Sequence, residues 1–204
     1  MLRLVDSAQG WAVGSFCAIV FFHLAFRLYV KAHKARTKPR GEIHQPKLFG
    51  QMVMWYVVFF LAAVVEWALG IWSFHWNLAV LGGLLYLASM LIQWSALNDL
   101  GQAYSPDIEV RQQQTLIQVG LYRWMRHPLL AAIILELLGV TLFLNAYVAS
   151  IGVVLVFIPV IRKRRQEEEK VLLEHFGAAY RRYCEEVGAY FPKFIRRIPH
   201  DVNA

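Results

Sequence analysis

The sequence predicts an all-α, polytopic membrane protein with about five transmembrane helices. Hydrophobic residues make up 58% of the chain and charged residues only 17%, whereas soluble domains carry about 45–50% apolar and about 25% charged residues. The apolar residues are gathered in blocks long enough to cross the roughly 30 Å hydrocarbon core of a bilayer as helices. Tryptophans stand near the ends of these blocks, as they do at membrane interfaces.

Three predicted spans lie in the N-terminal half, at residues 11–30, 51–72 and 77–97. A basic, proline-containing loop separates the first two, and a short aromatic turn separates the second from the third. The apolar region 129–161 is too long for one span and too short for two with a long connection. It therefore predicts a tight helical hairpin that turns near Asn145, with Pro159 bending the second arm.

Two polar segments flank the predicted hairpin. The segment 98–128 is long for a loop, and its aromatic and aliphatic residues favour an ordered, functional structure. The segment 162–204 begins with basic residues and continues with apolar residues at helical spacing, which predicts a C-terminal amphipathic helix. The residues of this apolar stripe are Leu172, Phe176, Ala179, Tyr183 and Val187.

Lysine and arginine are concentrated next to the spans, and this pattern predicts the orientation of the chain. If the basic loop at residues 31–47 lies inside, the N-terminus lies outside. With five spans, the 98–128 loop and the C-terminal tail are then both cytoplasmic, in a bacterial inner membrane or the endoplasmic reticulum. This arrangement explains the net charge of +7, so nucleic-acid binding is disfavoured.

An ordered set of motifs in the C-terminal half resembles the isoprenylcysteine carboxyl methyltransferase family. In that family the pattern L-V-x-x-G-x-Y-x-x-x-R-H-P-x-Y precedes a helical hairpin, and the patterns R-x-x-x-E-E-x-x-L and F-G-x-x-Y-x-x-Y follow it. Here the first pattern runs from Leu116 to Pro128, the second from Arg164 to Leu172, and the third from Phe176 to Tyr183. The resemblance covers residues 98 to 194, and the first two predicted spans carry no motif.

The resemblance implies an enzyme that transfers a methyl group from S-adenosylmethionine to a lipophilic acceptor, most closely the carboxylate of an isoprenylated cysteine. Residues 1–97 would then be three membrane helices with a basic loop, and residues 98–204 the catalytic region. That region comprises a cofactor loop (98–128), the hairpin (129–161) and the C-terminal helix (162–204). The residues that correspond to the family's cofactor pocket are Gln114, Thr115, Leu116, Ile117, Tyr122, His127, Pro128, Leu129 and Glu168. The family often has histidine in place of Gln114 and tyrosine in place of Leu130.

The candidate catalytic residues are Arg164 and Glu169. Arg164 corresponds to the acceptor-side arginine of the family, and a guanidinium group pairs bidentately with a carboxylate. A carboxylate acceptor is already a nucleophile, so the enzyme has to align it with the methyl group and exclude water. Only a phenol or hydroxyl acceptor would require a base, for which Glu169 or His127 is the candidate. No metal site is expected.

Other functions fit parts of the same pattern. Phospholipid N-methylation, or O-methylation of another lipid, would use the same cofactor and the paired glutamates, although an arginine beside the acceptor disfavours an amine. A sterol-reductase-like enzyme would share the Arg-His-Pro stretch and use NADPH, but its tail generally lacks the glutamate pair. A non-enzymatic transporter predicts paired repeats, which are not evident in this sequence. The oligomeric state stays open.

Two carboxyl groups, those of Glu66 and Glu136, lie inside predicted spans. An acidic side chain is costly in a membrane and indicates a function there. Glu136 is predicted to face the interior of the hairpin and to shape an acceptor channel. Glu66 is predicted to lie near the outer interface in contact with water, and neither residue is included in the candidate site.

Overall fold

The computed structural model describes residues 42–44, 46–105, 107–110 and 115–193. Most of this part of the chain is α-helical. The helices are α1 (Pro46–Ala68), α2 (Trp76–Leu100), α3 (Pro128–Phe143), α4 (Tyr147–Gly152), α5 (Ile158–Phe176) and α6 (Ala178–Glu186). Short 3-10 turns lie at Gly101–Ala103 and Gly120–Arg123, and a π-helical turn at Val153–Phe157 joins α4 to α5.

Two helical segments, Lys47–Ala68 and Trp76–Leu100, are long and apolar enough to cross a membrane, and Pro128–Phe143 is a shorter apolar helix. Much of their apolar surface is not buried within the protein, since Leu61 on α1 and Leu91 on α2 are both more than half exposed. Apolar helices exposed in this way are stable in lipid and not in water. A mostly helical fold with at least two helices suited to a membrane is therefore confirmed for the described residues. The predicted span at residues 11–30 lies outside the described residues, so the count of five stays a prediction.

A sharp turn at Asn145 connects α3 to α4, at the position where the sequence predicts a hairpin turn. Asn145 has a φ of 56°, a conformation that asparagine tolerates better than most residues. Its side-chain oxygen accepts hydrogen bonds from the backbone N–H of His75 (2.8 Å) and the hydroxyl of Tyr147 (3.1 Å). In the second arm, the π-helical turn precedes Pro159, which has no backbone N–H to donate.

Glu66 stabilises the same end of the helices. Its carboxylate accepts hydrogen bonds from the indole Nε1 of Trp72 (2.6 Å) and from the backbone N–H groups of Val148 and Ala149 (both 3.0 Å). These N–H groups lie in the first turn of α4, where a helix has unsatisfied donors and a partial positive charge. The predicted water-exposed position of Glu66 is therefore wrong, because the side chain is buried and caps a helix from a distant segment.

The structure departs from the sequence prediction in two places. Glu42–His44 and Ile108–Val110 form a two-stranded antiparallel sheet, which places the segment before α1 and the loop after α2 side by side. The predicted C-terminal stripe is also divided between two helices, because Gly177 has a φ of 54° and separates α5 from α6. Glycine adopts positive φ without the steric cost that a side chain would add.

Helices α2 and α3 pack at short range through two glycines. A Cβ atom on Gly82 would lie 2.6 Å from the carbonyl oxygen of Gly139, and one on Gly139 would lie 2.7 Å from the backbone nitrogen of Tyr86. Small residues let helix backbones approach closely in membranes, where association depends on packing. This crossing holds α3, and with it the polar residues just before α3, against α2.

Replacing Gly82 with alanine is expected to destabilise the protein, whereas the same change at Gly83 is not. A Cβ on Gly83 would meet its nearest atom, in the Phe143 ring, at 3.7 Å, which is an ordinary contact. Both changes improve helix propensity by up to about 1 kcal/mol, but Gly82→Ala forces backbone atoms apart at a cost of about 1–3 kcal/mol. Thermal unfolding in detergent should show a lower Tm for Gly82→Ala alone. Equal Tm values would contradict the close crossing.

Candidate functional site

The loop before α3 and the segment after α6 pair through their backbones. The N–H of Arg126 donates to the carbonyl of Gly188, and the N–H of His127 donates to the carbonyl of Ala189, both at 2.9 Å. The tail turns back tightly here, since a Cβ on Gly188 would overlap the carbonyl oxygen of Phe191. Two polar segments that are separated in sequence by the helical hairpin are thereby joined at one end of the fold.

Glu169 on α5 is the centre of a charged cluster at this junction. Its Oε1 accepts a hydrogen bond from Nη2 of Arg126 at 2.8 Å and lies 3.1 Å from Nε2 of His127. The Arg126 guanidinium also donates to the backbone carbonyls of Cys184 (3.0 Å) and Val187. The cluster therefore connects the loop, α5 and the end of α6.

The contacts of Glu169 determine its charge. Partial burial acts to raise the pKa of its carboxyl group, but hydrogen bonds with His127 and Arg126 outweigh burial and lower the pKa to about 2. A carboxyl group with this pKa is ionised at neutral pH and is a weak proton acceptor. Glu169 is therefore well suited to hold the loop against the tail.

We expect Glu169→Gln to destabilise the protein at neutral pH and to have little effect in strong acid. A carboxyl group whose pKa is lower in the folded chain stabilises the fold above its unfolded value of 4.5, and this contribution is lost as pH falls toward 2. With allowance for partial exposure, the contribution is about 2 kcal/mol. The Tm difference between wild type and variant should shrink between these pH values. Glu167→Gln, which removes an exposed pair with Lys170, is the control, and a Tm difference for Glu169→Gln that stays constant would contradict the assignment.

The loop is also held by α2 and α6. The carboxylate of Asp99 accepts a hydrogen bond from the backbone N–H of Leu121 at 2.8 Å, and the hydroxyl of Tyr183 donates to the carbonyl of Tyr122. Gly120 is needed for the first contact, because a Cβ there would overlap the Asp99 carboxylate. Burial raises the pKa of Tyr122, and the charge of nearby Glu168 adds to the effect, so its phenol is neutral at physiological pH.

His127 occupies the N-cap position of α3, yet its side chain makes no capping hydrogen bond. Instead, Nε2 lies 3.1 Å from Glu169 Oε1, and Nδ1 lies 3.8 Å from Glu168 Oε1. Pro128 follows in the first turn of α3, where its missing N–H costs nothing. The side chain of His127 thus contacts both glutamates of the tail motif and is not a simple helix cap.

A cavity of about 570 Å³ lies between this junction and the membrane helices. Its volume is within the roughly 300–1,000 Å³ of typical ligand sites. The loop and α5 supply its charged side chains, which together with α6 define its polar end, and α1, α2 and α3 supply mostly apolar side chains. A single space therefore extends from the charged cluster into the apolar part of the protein.

Most residues predicted to hold a cofactor line this cavity. They are Thr115, Leu116, Ile117, Tyr122, His127, Leu129 and Glu168. Pro128 is buried in the first turn of α3, and Gln114 lies outside the described residues. Arg164 lines the same cavity, while Glu169 belongs to the adjacent charged cluster. Within the described ranges no group of three or more His, Cys, Asp or Glu side chains could hold a metal ion, and the lack of a metal site stays a prediction.

Arg164 is a buried cation in the cavity wall, with 5% of its surface exposed. Its guanidinium carbon lies 5.7 Å from the centre of the Phe49 ring, a position in which arginine is attracted to an aromatic face. Glu168 follows one helical turn later, so the two side chains lie on the same side of α5. The cavity therefore has a cationic and an anionic side chain close together along one helix.

Three polar residues beside the membrane end of the cavity are not part of any motif. The Tyr56 hydroxyl donates to Glu136 Oε1 at 3.0 Å, and the Gln93 amide donates to Glu136 Oε2 at 2.9 Å. Tyr56 and Gln93 line the cavity, and Glu136 is fully buried, in agreement with its predicted inward position. The available signal was a polar side chain inside each of three apolar spans, but the spacing did not show that these three side chains meet.

The fold and the cavity define a class of helical membrane proteins in which a polar loop and tail close one end of a site that continues between the helices. Residues 78–174 match the model of the isoprenylcysteine carboxyl methyltransferase (ICMT) family. The resemblance to this family that the sequence motifs predict is thereby confirmed.

Individual proteins show the same relationship. The chain is 23% identical over 180 residues to protein-S-isoprenylcysteine O-methyltransferase B of Arabidopsis thaliana, covering 87% of this chain and 90% of that protein. It is 28% identical over 115 residues to protein-S-isoprenylcysteine O-methyltransferase of Saccharomyces cerevisiae, covering 55% of this chain and 48% of that protein. A solved structure of the eukaryotic intramembrane Ras methyltransferase ICMT matches with a TM-score of 0.69 at 20% identity. That match covers 90% of this chain and 66% of the solved chain, and it shows a shared fold.

Proposed function

We propose that the cavity is the active site of a membrane methyltransferase that methylates the carboxylate of an isoprenylated cysteine or a similar lipophilic acid. Methyltransferase activity is supported by the match of residues 78–174 to the ICMT family model and by similar proteins that are named isoprenylcysteine O-methyltransferases. The observation that supports the assignment most is the position of Arg164 and Glu168. They lie one turn apart on α5, in the wall of a cavity that continues from the charged cluster to the membrane helices.

The proposed methyl donor is S-adenosylmethionine, held at the polar end of the cavity. This molecule combines a cationic sulfonium and an ammonium group with an apolar adenine ring. The wall there suits it, since aliphatic side chains such as Leu116 and Ile117 line the same cavity as the carboxylate of Glu168, whose side chain is 31% exposed. When bound, the cofactor would supply an electrophilic methyl group. Thr115, Tyr122, His127, Pro128 and Leu129 complete the proposed pocket, with Gln114 assigned from the family resemblance alone.

Arg164 is the proposed binding group for the acceptor carboxylate. Its guanidinium is buried and held against an aromatic ring, so it is pre-organised to pair with an anion. Correct alignment of two reactants can lower a barrier by up to about 7–11 kcal/mol. A carboxylate nucleophile loses no proton, and we assign Glu169, with its lowered pKa, to positioning His127 and Arg126 and not to base catalysis.

The acceptor is proposed to enter from the lipid and the cofactor from the aqueous side. Val53 and Val57 on α1 line the cavity and are also exposed, by 42% and 46%. The described part of the cavity therefore borders the lipid-facing surface of α1. Thr115 is exposed at the polar end. The same proposal places the polar end of the cavity on the cytoplasmic side. It also includes five membrane spans and an N-terminus on the outer side.

The test uses the full chain, purified in detergent and returned to lipid. Calorimetric titration is expected to show micromolar binding of S-adenosylmethionine and S-adenosylhomocysteine and no binding of NADPH. Tritium from the labelled methyl group is expected on N-acetyl-S-farnesylcysteine as a base-labile ester. Binding of NADPH without S-adenosylmethionine would instead indicate the reductase alternative. Label on phospholipid amines that resists base would indicate N-methylation.

A further inference from the structure

We propose that the acceptor carries a hydrogen-bond donor, a hydroxyl or an amide N–H, within its lipophilic part, and that Gln93 binds this donor. The proposal rests on the proposed function and narrows its substrate class. It is based on the cluster of Tyr56 on α1, Gln93 on α2 and Glu136 on α3, called here the membrane triad. These residues bring three helices together beside the apolar end of the cavity.

The membrane triad is a hydrogen-bond network centred on Glu136, with one edge in the cavity wall. Both carboxylate oxygens of Glu136 accept hydrogen bonds, from the Tyr56 hydroxyl at 3.0 Å and from Gln93 Nε2 at 2.9 Å. Glu136 is 0% exposed and Gln93 is 3% exposed. Burying polar groups among apolar helices is costly, and such groups commonly mark a functional pathway in a membrane protein. The edge formed by Tyr56 and Gln93 faces the space assigned to the acceptor.

Glu136 determines which way the Gln93 amide faces. A carboxylate that receives a hydrogen bond requires the amide nitrogen on its side, so the amide carbonyl oxygen Oε1 points away from Glu136. Within the described part of the chain, Gln93 has no second hydrogen bond. Its Oε1 is therefore an acceptor of fixed direction in a cavity-lining side chain. A hydrocarbon chain packed against it would leave it unsatisfied, whereas a hydroxyl or N–H group would pair with it.

The distance from Arg164 indicates where on the acceptor the donor lies. The Arg164 guanidinium carbon lies 5.7 Å from the Phe49 ring centre. Tyr56 lies seven residues after Phe49 on α1, which corresponds to about 10 Å along the helix. An acceptor whose carboxylate binds Arg164 would thus pass the membrane triad about 10 Å into its tail. A plain isoprenyl group is hydrocarbon throughout, so an isoprenylated cysteine would be methylated without this contact and less efficiently than an acceptor that carries a donor at that distance.

The experiment compares two acceptors that differ by a single group: hexadecanoic acid and its mid-chain hydroxylated counterpart. Transfer of tritiated methyl from S-adenosylmethionine is measured with the full chain in lipid nanodiscs. The hydroxy acid is expected to have a kcat/KM roughly tenfold above that of the plain acid. Gln93→Met is expected to reduce this ratio to about one, because methionine fills the same space without the carbonyl acceptor. Gln166→Met, on the exposed side of α5, is expected to keep the ratio.

The ratio is insensitive to partial unfolding, because loss of folded enzyme lowers both rates equally. Because Gln93→Met removes a hydrogen bond to Glu136, the double variant Gln93→Met/Glu136→Leu, which replaces both partners of that bond, is measured beside it and should show the same loss. A wild-type ratio near one, or a preference that survives Gln93→Met, overturns the proposal. Methylation of N-acetyl-S-farnesylcysteine without methylation of the hydroxy acid also overturns it and leaves the proposed function intact. Failure of the protein to bind S-adenosylmethionine would contradict both this proposal and the proposed function.

Discussion

A Glu168→Ala variant is expected to bind S-adenosylmethionine about 10- to 150-fold more weakly than the wild type, because a charge-assisted hydrogen bond is worth roughly 1.5–3 kcal/mol. The Glu168 carboxylate lies in the cavity wall and is only 31% exposed on its side chain. It is thus the anionic group that we assign to the cationic or hydroxyl-bearing parts of the cofactor. Calorimetric titration in nanodiscs gives the change in dissociation constant directly.

Glu167→Ala is the matched control for this measurement. Glu167 is the preceding residue on the same helix, and its carboxylate pairs with Lys170 at 2.7 Å, where the lysine is exposed. Its loss is expected to leave binding unchanged. Glu168→Gln separates two effects, since glutamine keeps a hydrogen-bonding side chain and removes the charge. Wild-type affinity in Glu168→Ala, with an unchanged Tm, would show that the cofactor is not held at this position.

Two predictions were possible from local properties of the chain: that the protein belongs to the membrane class, and that its two polar segments lie close together. A span requires only length and apolar composition, so α1, α2 and α3 correspond closely to the apolar blocks. The meeting of His127 with Glu168 follows from a hairpin that returns the chain to its starting surface. The position of that turn could be predicted because Asn145 is a polar residue in an apolar region.

The remaining contacts could not be predicted because they pair residues on different helices. Which side chains meet depends on how each helix is rotated about its axis, and packing sets that rotation. Glu66 and Glu136 look alike in sequence, each a single carboxylate in an apolar span. One caps α4 through two backbone N–H groups, and the other fixes a tyrosine and a glutamine beside the cavity. Which role each residue takes depends on how α1, α2 and α3 face one another. That rotation is set by contacts such as the Gly82 crossing, for which a glycine in an apolar helix is only a weak signal.

Glu169 illustrates a different limit of sequence analysis. Its place in a paired-glutamate motif made it a candidate catalytic residue and a candidate base. The distinction between a base and an anchor came from its partners, because Arg126 and His127 lower its pKa to about 2. A motif identifies which residues belong to a site, whereas the division of roles between two adjacent glutamates depends on which of them faces the cavity and which faces the cations.

Arg164→Met is expected to reduce kcat/KM for a carboxylate acceptor by about 100- to 1,000-fold, the usual loss when a pre-organised charge-stabilising group is removed from an active site. Cofactor affinity should change little, since the proposed cofactor pocket lies toward Glu168 and the loop. Arg164→Lys keeps the charge and loses the planar pair of donors, so its kcat/KM should fall between those of Arg164→Met and wild type. Arg162→Ala, an exposed change on the same helix, is the control. Methyl transfer and calorimetry on the same preparations separate the two effects.

The same variants test the nature of the acceptor. A carboxylate is attracted to Arg164, whereas a protonated amine is repelled by it, so replacement by methionine has opposite consequences for the two classes. If Arg164→Met loses methylation of N-acetyl-S-farnesylcysteine and gains none on phosphatidylethanolamine, the arginine selects for an anion. An increase in phospholipid methylation would instead mean that the cavity accepts amines and that Arg164 normally excludes them. Parallel loss of cofactor binding and turnover would contradict an acceptor-side role, because it would place the guanidinium in the cofactor pocket.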